Sequence, residues 1–247
     1  MLTDVLVKTD QEIERLRAAG RVARLALDAA CDAARTGVTT AEIDRVAEAV
    51  IAKHGATPEF KGYQDFPAAT CISVNDEVVH GIPGSRVLEE GDLVSIDVGA
   101  RLDGYVGDNA RTVIVGEGSE LALRVNEAAQ ECLRQATLAC RPGGRLSDLG
   151  RAIQTHAESL GFSVVRDYAG HGIGARMHED PQVHNYVDEN TLADDVVLEP
   201  GMCLAIEPMV IQGRPEVRVL ADQWTVVTTD GTVAAHWEDV VAVTQDG

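Results

Sequence analysis

Apolar residues recur at helical spacing over the first fifty positions. Thr9-Asp-Gln-Glu12 has the form of a capping box, in which the Thr hydroxyl takes the amide three residues on and Glu12 reaches back. Ile13, Leu16, Val22 and Leu25 then mark the apolar side of a long helix ending near Gly37. Thr39-Thr-Ala-Glu42 repeats the start signal, and a second helix runs to His54-Gly55, where the glycine can stop it in the left-handed conformation. Residues 70–116 switch to strand-like runs punctuated by Gly, Pro and Asp. A helical pattern returns over about 119–139, closed by Arg141-Pro-Gly-Gly144, and another follows over about 147–160 and stops at Gly161. Residues 162–247 are again β-rich.

The order is therefore helix, helix, strands, then helix, helix, strands. Laying the second run on the first aligns Gly37 with Gly143, Ile43 with Leu149, Arg45 with Arg151 and Gly55 with Gly161. This predicts one catalytic domain, 1–247, of two similar halves, about 9–118 and 119–247. Only two copies exist, so this is not a solenoid. Strands that follow runs of helix imply an α+β fold with helices packed on an antiparallel sheet.

Composition narrows the partners. The 247 residues are 45% hydrophobic, enough for a substantial core, and carry a formal charge of −19. So acidic a surface repels phosphate backbones and argues against stable nucleic-acid binding. The five cysteines, Cys31, Cys71, Cys132, Cys140 and Cys203, include no C-x-x-C pair, which fits a reducing compartment better than a disulfide framework. With no signal-peptide pattern and no apolar run of membrane-spanning length, the sequence reads as cytoplasmic.

The chemistry begins at Leu93-Val-Ser-Ile-Asp97-Val-Gly99. In a strand, Val94, Ile96 and Val98 take one face and Ser95 and Asp97 the other. Arg101-Leu-Asp-Gly104 is a hairpin signal, and the return strand carries Asp108. A turn centred between Leu102 and Asp103 sets Asp97 directly opposite Asp108. With Asp103-Gly104 as the central pair, the two are diagonal neighbours. Either way both carboxylates share a face, where like charges ~5 Å apart raise one pKa sharply unless a cation intervenes. A divalent ion or a protonated acid pair would each resolve the conflict.

Three further residues favour the ion. His171 stands among glycines in Ala169-Gly-His-Gly-Ile-Gly174, and His178-Glu-Asp-Pro181 follows shortly after. Glu207 ends the apolar run Met202-Cys-Leu-Ala-Ile, and Glu238 lies in Ala234-Ala-His-Trp-Glu-Asp-Val-Val241. A carboxylate buried alone in such runs costs on the order of several kcal/mol. Lysine occurs only at 8, 53 and 61, so counter-charges are scarce. Four carboxylates and one imidazole form an oxygen-rich set that suits Mn²⁺, Fe²⁺ or Co²⁺ and admits Zn²⁺.

These residues resemble the methionine aminopeptidases, specifically the shorter type I enzymes of the pita-bread fold. The matching stretches are Cys71 to Pro83, Gly91 to Val98, Gly107-Asp108, Gly170 to Gly174, His178-Glu179, Gly201-Met202 with Ile206-Glu-Pro208, and Trp237-Glu238, in family order over nearly the whole chain. The resemblance implies two divalent metal ions (Co, Mn, Fe or Zn): Asp97 would chelate one, Asp108 and Glu238 would bridge both, and His171 and Glu207 would complete the second set. It implies that Glu207 shuttles the proton of the attacking water, that His178 hydrogen-bonds the carbonyl oxygen, and that His80 contacts the scissile nitrogen. It maps a methionine pocket onto Tyr63, Phe66, Cys71, Met177 and Trp224. The chain departs from the family at Phe60, Gln64, Met177 and Asp239-Val240, where relatives usually carry a small residue or Cys, a His, an aromatic residue, and His-Thr.

The expected protein is a monomer acting on peptide or nascent-chain N-termini, with at most transient ribosome contact and no membrane association. Two other readings remain open at this point: a pita-bread peptidase of Xaa-Pro specificity, and a non-enzymatic binding module on the same fold.

Overall fold

The computed structural model describes residues 5–193 and 195–247. In chain order the helices are α1 (Asp10–Ala33), α2 (Thr40–Lys53), α3 (Glu120–Ala139), α4 (Leu146–Ser159) and a short α5 (Glu189–Ala193). The strands of the first half are β1 (Thr57–Pro58), β2 (Thr70–Val74), β3 (Glu77–Val79), β4 (Leu93–Leu102) and β5 (Tyr105–Ile114). Then come β6 (Ser163–Val164), β7 (Gly170–Gly172), β8 (Glu179–Val183), β9 (Cys203–Ile206) and β10 (Met209–Ile211). The last four are β11 (Val217–Val219), β12 (Val226–Thr228), β13 (Ala234–His236) and β14 (Glu238–Ala242).

Both predicted capping boxes form: Thr9 with Glu12 opens α1, and Thr39 with Glu42 opens α2. The α1 helix ends earlier than its pattern suggests. The chain leaves helical geometry at Ala34 because Gly37 and Val38 pair with the backbone of Leu88 instead. The predicted apolar side also needs a correction. Leu16, Val22, Ala23 and Leu27 are buried, whereas Leu25 is 48% exposed. At 3.6 residues per turn, Leu25 stands about half a turn away from Leu16, so its hydrophobicity does not place it in the core.

The central sheet runs β1-β4-β5-β14-β9-β7-β8, with β2 also pairing along β4, and its pairings are antiparallel. Strands β13-β10-β6 and β11-β12-β3 form two smaller sheets. Helices cover one face. Val94, Ile96 and Val98 point back into a core with Val22, Leu27, Ile43 and Ile51 of α1 and α2. Leu204 and Ile206 point into a second core with Val125, Leu133, Leu149 and Ile153 of α3 and α4. Close approach of α1 to the sheet requires glycine: a Cβ on Gly107 would lie 2.3 Å from the backbone nitrogen of Gly20. The polar residues of β4 and β5 project from the other face of the sheet, where β13 packs over Ser95 and Thr112.

Candidate metal centre and substrate cavity

The β4–β5 hairpin settles the register. Asp103 and Gly104 are its central pair, both left-handed with φ of 48° and 84°, and Asp97 pairs with Ala110. Asp97 and Asp108 are thus diagonal neighbours, the second of the two registers expected. Glu238 on β14 also pairs with Ala110, so Asp97, Ala110 and Glu238 form one row across three strands. One step past the Asp239–Ile206 pair, Glu207 comes opposite Glu238. His171 pairs with Ala205, two residues before Glu207 and on the same face. Five consecutive strands of the sheet therefore each deliver one residue, or its immediate neighbour, to a single patch. Asp239 alternates to the other face, where its carboxylate pairs with Arg111 at 2.6 Å.

The patch is buried and short of hydrogen-bond partners. Asp108, His171 and Glu238 are 4%, 7% and 2% exposed, and they offer ligand atoms all within 4.8 Å of one another. Asp97 Oδ1, Asp108 Oδ1 and Glu238 Oε1 are buried with no hydrogen-bond partner among the described residues. Burial pushes the Asp97 carboxyl up to about 7. Burial and the mutual repulsion of the acids push Asp108 and Glu238 well above the usual carboxylate range. Glu207 behaves differently: burial raises it, but the neighbouring imidazoles of His236, His171 and His80 outweigh burial and hold it below its usual value. His171 Nδ1 lies 2.9 Å from the Gly172 carbonyl oxygen. That contact fixes the proton on Nδ1 and leaves Nε2 with a bare lone pair, 3.8 Å from Glu207 Oε1. Two facing acceptors and three orphaned carboxylate oxygens are resolved together by divalent cation binding, and the donor set fits such an ion.

A cavity of about 210 Å³ opens onto this patch. Every residue expected in the substrate site lines it: His80, His178, Tyr63, Phe66, Cys71, Met177 and Trp224, together with the five acidic and imidazole residues. Phe66 and Trp224 meet edge to face, with ring centroids 5.1 Å apart. The Tyr63 hydroxyl lies 2.8 Å from His178 Nδ1. Burial, then the neighbouring His171, hold His178 at about 4, so it is neutral at pH 7; burial also holds His80 below its usual value. His80 has a φ of 60°, backbone strain of about 1–3 kcal/mol concentrated at the cavity wall.

Sequence reasoning left three of the neighbours without a role. Phe60 and Gln64 also line the cavity. Phe60 packs so tightly on Gly99 that a Cβ there would lie 2.4 Å from its ring. His236 is 2% exposed, with Nε2 3.6 Å from Glu207 Oε2. Its one sequence signal was its position two residues before Glu238, on the strand-like run that carries that acid.

Comparison with known proteins identifies the family. The profile of metallopeptidase family M24 matches residues 14–245, and the chain belongs to that family. Within it, the chain is 47% identical to methionine aminopeptidase 1 of Bacillus subtilis, over 98% of this chain and 97% of the relative. The solved structure of a methionine aminopeptidase from Thermotoga maritima superposes with a TM-score of 0.95 at 43% identity, covering 99% of this chain and 97% of that one. The prolidase from Pyrococcus furiosus superposes less closely, with a TM-score of 0.78 at 27% identity, and only 64% of its chain is matched. The architecture is the pita-bread fold shared by these peptidases, helices on an antiparallel sheet.

Proposed function

We propose that the protein is a methionine aminopeptidase that removes the N-terminal methionine from peptides and nascent chains. The observation that carries this reading is the convergence of Asp97, Asp108, His171, Glu207 and Glu238 at the floor of an apolar cavity, in a chain aligned end to end with methionine aminopeptidases. The Xaa-Pro alternative is disfavoured because the chain is 47% identical to a methionine aminopeptidase and only 27% identical to the prolidase, which also superposes less closely. The binding-module alternative is disfavoured because the whole acidic and imidazole set is present.

In this reading Asp97, Asp108, His171, Glu207 and Glu238 would hold two divalent ions; cobalt, manganese, iron and zinc all suit the donors. When bound, the ions supply Lewis acidity toward water and the scissile carbonyl. Glu207 accepts the proton of the attacking water and returns it to the leaving amine. His178 is neutral, and if the Tyr63 hydroxyl donates to its Nδ1, its Nε2–H is free to donate to the carbonyl oxygen as negative charge develops there. His80 contacts the scissile nitrogen from the opposite wall. Phe66, Cys71, Met177, Trp224 and the Tyr63 ring form the apolar slot for the thioether. The substrate's free α-amine would sit at the metal site, which restricts cleavage to the first residue.

The reading takes 1–247 as one catalytic domain of two similar halves, working as a cytoplasmic monomer with at most transient ribosome contact. Among the described residues, no helix is long and apolar enough to cross a membrane. The test is methionine release from a Met-Ala-Ser peptide with Mn²⁺, Co²⁺ or Fe²⁺ added. Release that stops on chelation supports the reading; no release with any of the three metals refutes it.

A further inference from the structure

The Glu207 carboxylate lies between two imidazoles, one facing each oxygen. His171 Nε2 is 3.8 Å from Oε1 and His236 Nε2 is 3.6 Å from Oε2. The two contacts differ in kind. His171 has its proton on Nδ1, held by the Gly172 carbonyl, so its Nε2 and Oε1 are both acceptors and are suited to sharing a cation. His236 faces the other oxygen of the carboxylate. Its Nε2 is buried and has no hydrogen-bond partner among the described residues. A buried ring nitrogen aimed at a carboxylate oxygen is satisfied by carrying the proton and donating it.

The main chain of His236 is fixed to an unusual degree. Its N–H donates to Thr112 Oγ1 at 2.9 Å, and its carbonyl accepts from the same hydroxyl at 2.8 Å. Thr112 Oγ1 also meets Ser95 Oγ at 2.8 Å. The polar row that places Asp97 and Asp108 on the site face thus continues through Ser95 and Thr112 and ends by clamping His236. The next residue is tied as well, Trp237 Nε1 donating to Asn126 Oδ1 at 2.7 Å. A backbone held at so many points fixes the direction of the imidazole.

We propose that His236 is a positioning residue for Glu207: its Nε2–H donates to Oε2, stops the carboxylate from rotating, and leaves the second lone pair of that oxygen facing the cavity to receive the proton. The role rests on Glu207 as the proton acceptor of the proposed aminopeptidase reaction. The separation is a few tenths of an ångström beyond a formed hydrogen bond, and such contacts in a substrate-free site close when substrate and cation draw the carboxylate into place.

The experiment compares His236→Gln, whose amide reaches the Nε2 position with a donor, with His236→Asn, whose shorter amide does not, and with His236→Leu, which has none. Each is assayed for steady-state release of methionine from a Met-Ala-Ser peptide with Mn²⁺, titrated with Mn²⁺ by calorimetry, and melted. The expected result is a fall in kcat of about 10–100-fold for the Asn and Leu variants with KM changed less than about twofold, the range found when groups that orient a metal-site residue are lost. His236→Gln is expected to stay within about threefold of the unaltered protein, and all variants that fold should bind the same number of Mn²⁺ ions. Should His236→Leu fail to fold, the Gln and Asn pair decides. The proposal is overturned if Asn keeps full kcat, if Gln is as impaired as Asn, or if Mn²⁺ stoichiometry falls, which would make His236 a ligand. An unaltered protein that binds Mn²⁺ and releases no methionine would instead overturn the aminopeptidase reading itself.

Discussion

Lys8 and Glu179 form the most deeply buried ion pair among the described residues, with Nζ 2.6 Å from Oε2 and side-chain exposures of 7% and 2%. The pair ties the segment before α1 to the residue that follows His178. Lys8 Nζ also donates to the Leu6 carbonyl at 3.2 Å, and the Lys8 amide donates to the Gly201 carbonyl at 2.8 Å. Glu179 Oε1 accepts the Arg176 amide at 3.1 Å. Replacing Lys8 by Met keeps most of the volume and removes the charge, leaving Glu179 Oε2 in the interior without its cation. Breaking one side of such a pair costs about 3–5 kcal/mol, because the stranded charge keeps its desolvation penalty and loses its attraction. For a chain of this size that corresponds to a fall in Tm of roughly 6–20 °C. Glu179→Gln strands the lysine and should cost a similar amount. The double variant should recover part of the loss, since neither charge is then left alone. Urea titration of the three variants measures this as a double-mutant cycle. A loss below about 1 kcal/mol for Lys8→Met, the range of an exposed pair, would refute the reasoning from burial.

Other consequences can be checked with equal directness. Adding Mn²⁺ at about a hundredfold excess over its Kd should stabilise the protein by about 2.7 kcal/mol, read as a rise in Tm, and Asp108→Asn should remove most of that rise; an equal rise in the variant would exclude Asp108 as a ligand. Tyr63→Phe deletes the hydroxyl at His178 Nδ1 and should lower kcat about 10-fold or more with the melting temperature nearly unchanged. Unchanged kcat would mean that His178 is oriented by other contacts. Gly107→Ala sets a methyl group against the α1 backbone, which cannot yield as a side chain would, so a loss of about 1–3 kcal/mol or more is expected in denaturant titration. A neutral result would show that α1 can shift without cost.

Much of this protein is written locally. The capping boxes at Thr9 and Thr39, the glycine stops at Gly55 and Gly161, and the alternation that puts Ser95 and Asp97 opposite Val94 and Ile96 depend on residues within a few positions of one another. That is why the helices, the hairpin and the shared face of Asp97 and Asp108 were legible, and why the resemblance carried by the motifs led to a cavity that gathers every named residue. Local pattern reaches its limit at Leu25, hydrophobic but on the solvent side, and at the two registers open to the hairpin, which the paired left-handed residues Asp103 and Gly104 decide. Only the tertiary structure sets β14 between β5 and β9, and so brings Glu238 into the row of Asp97 and opposite Glu207. The same strand order sets His236 against Glu207, while the packing of the N-terminal segment sets Lys8 against Glu179, pairs that no spacing along the chain reveals. Turns and helix caps are settled by energies between neighbours in sequence, but which distant strands lie side by side is settled by how two pairs of helices and one sheet bury their apolar faces together.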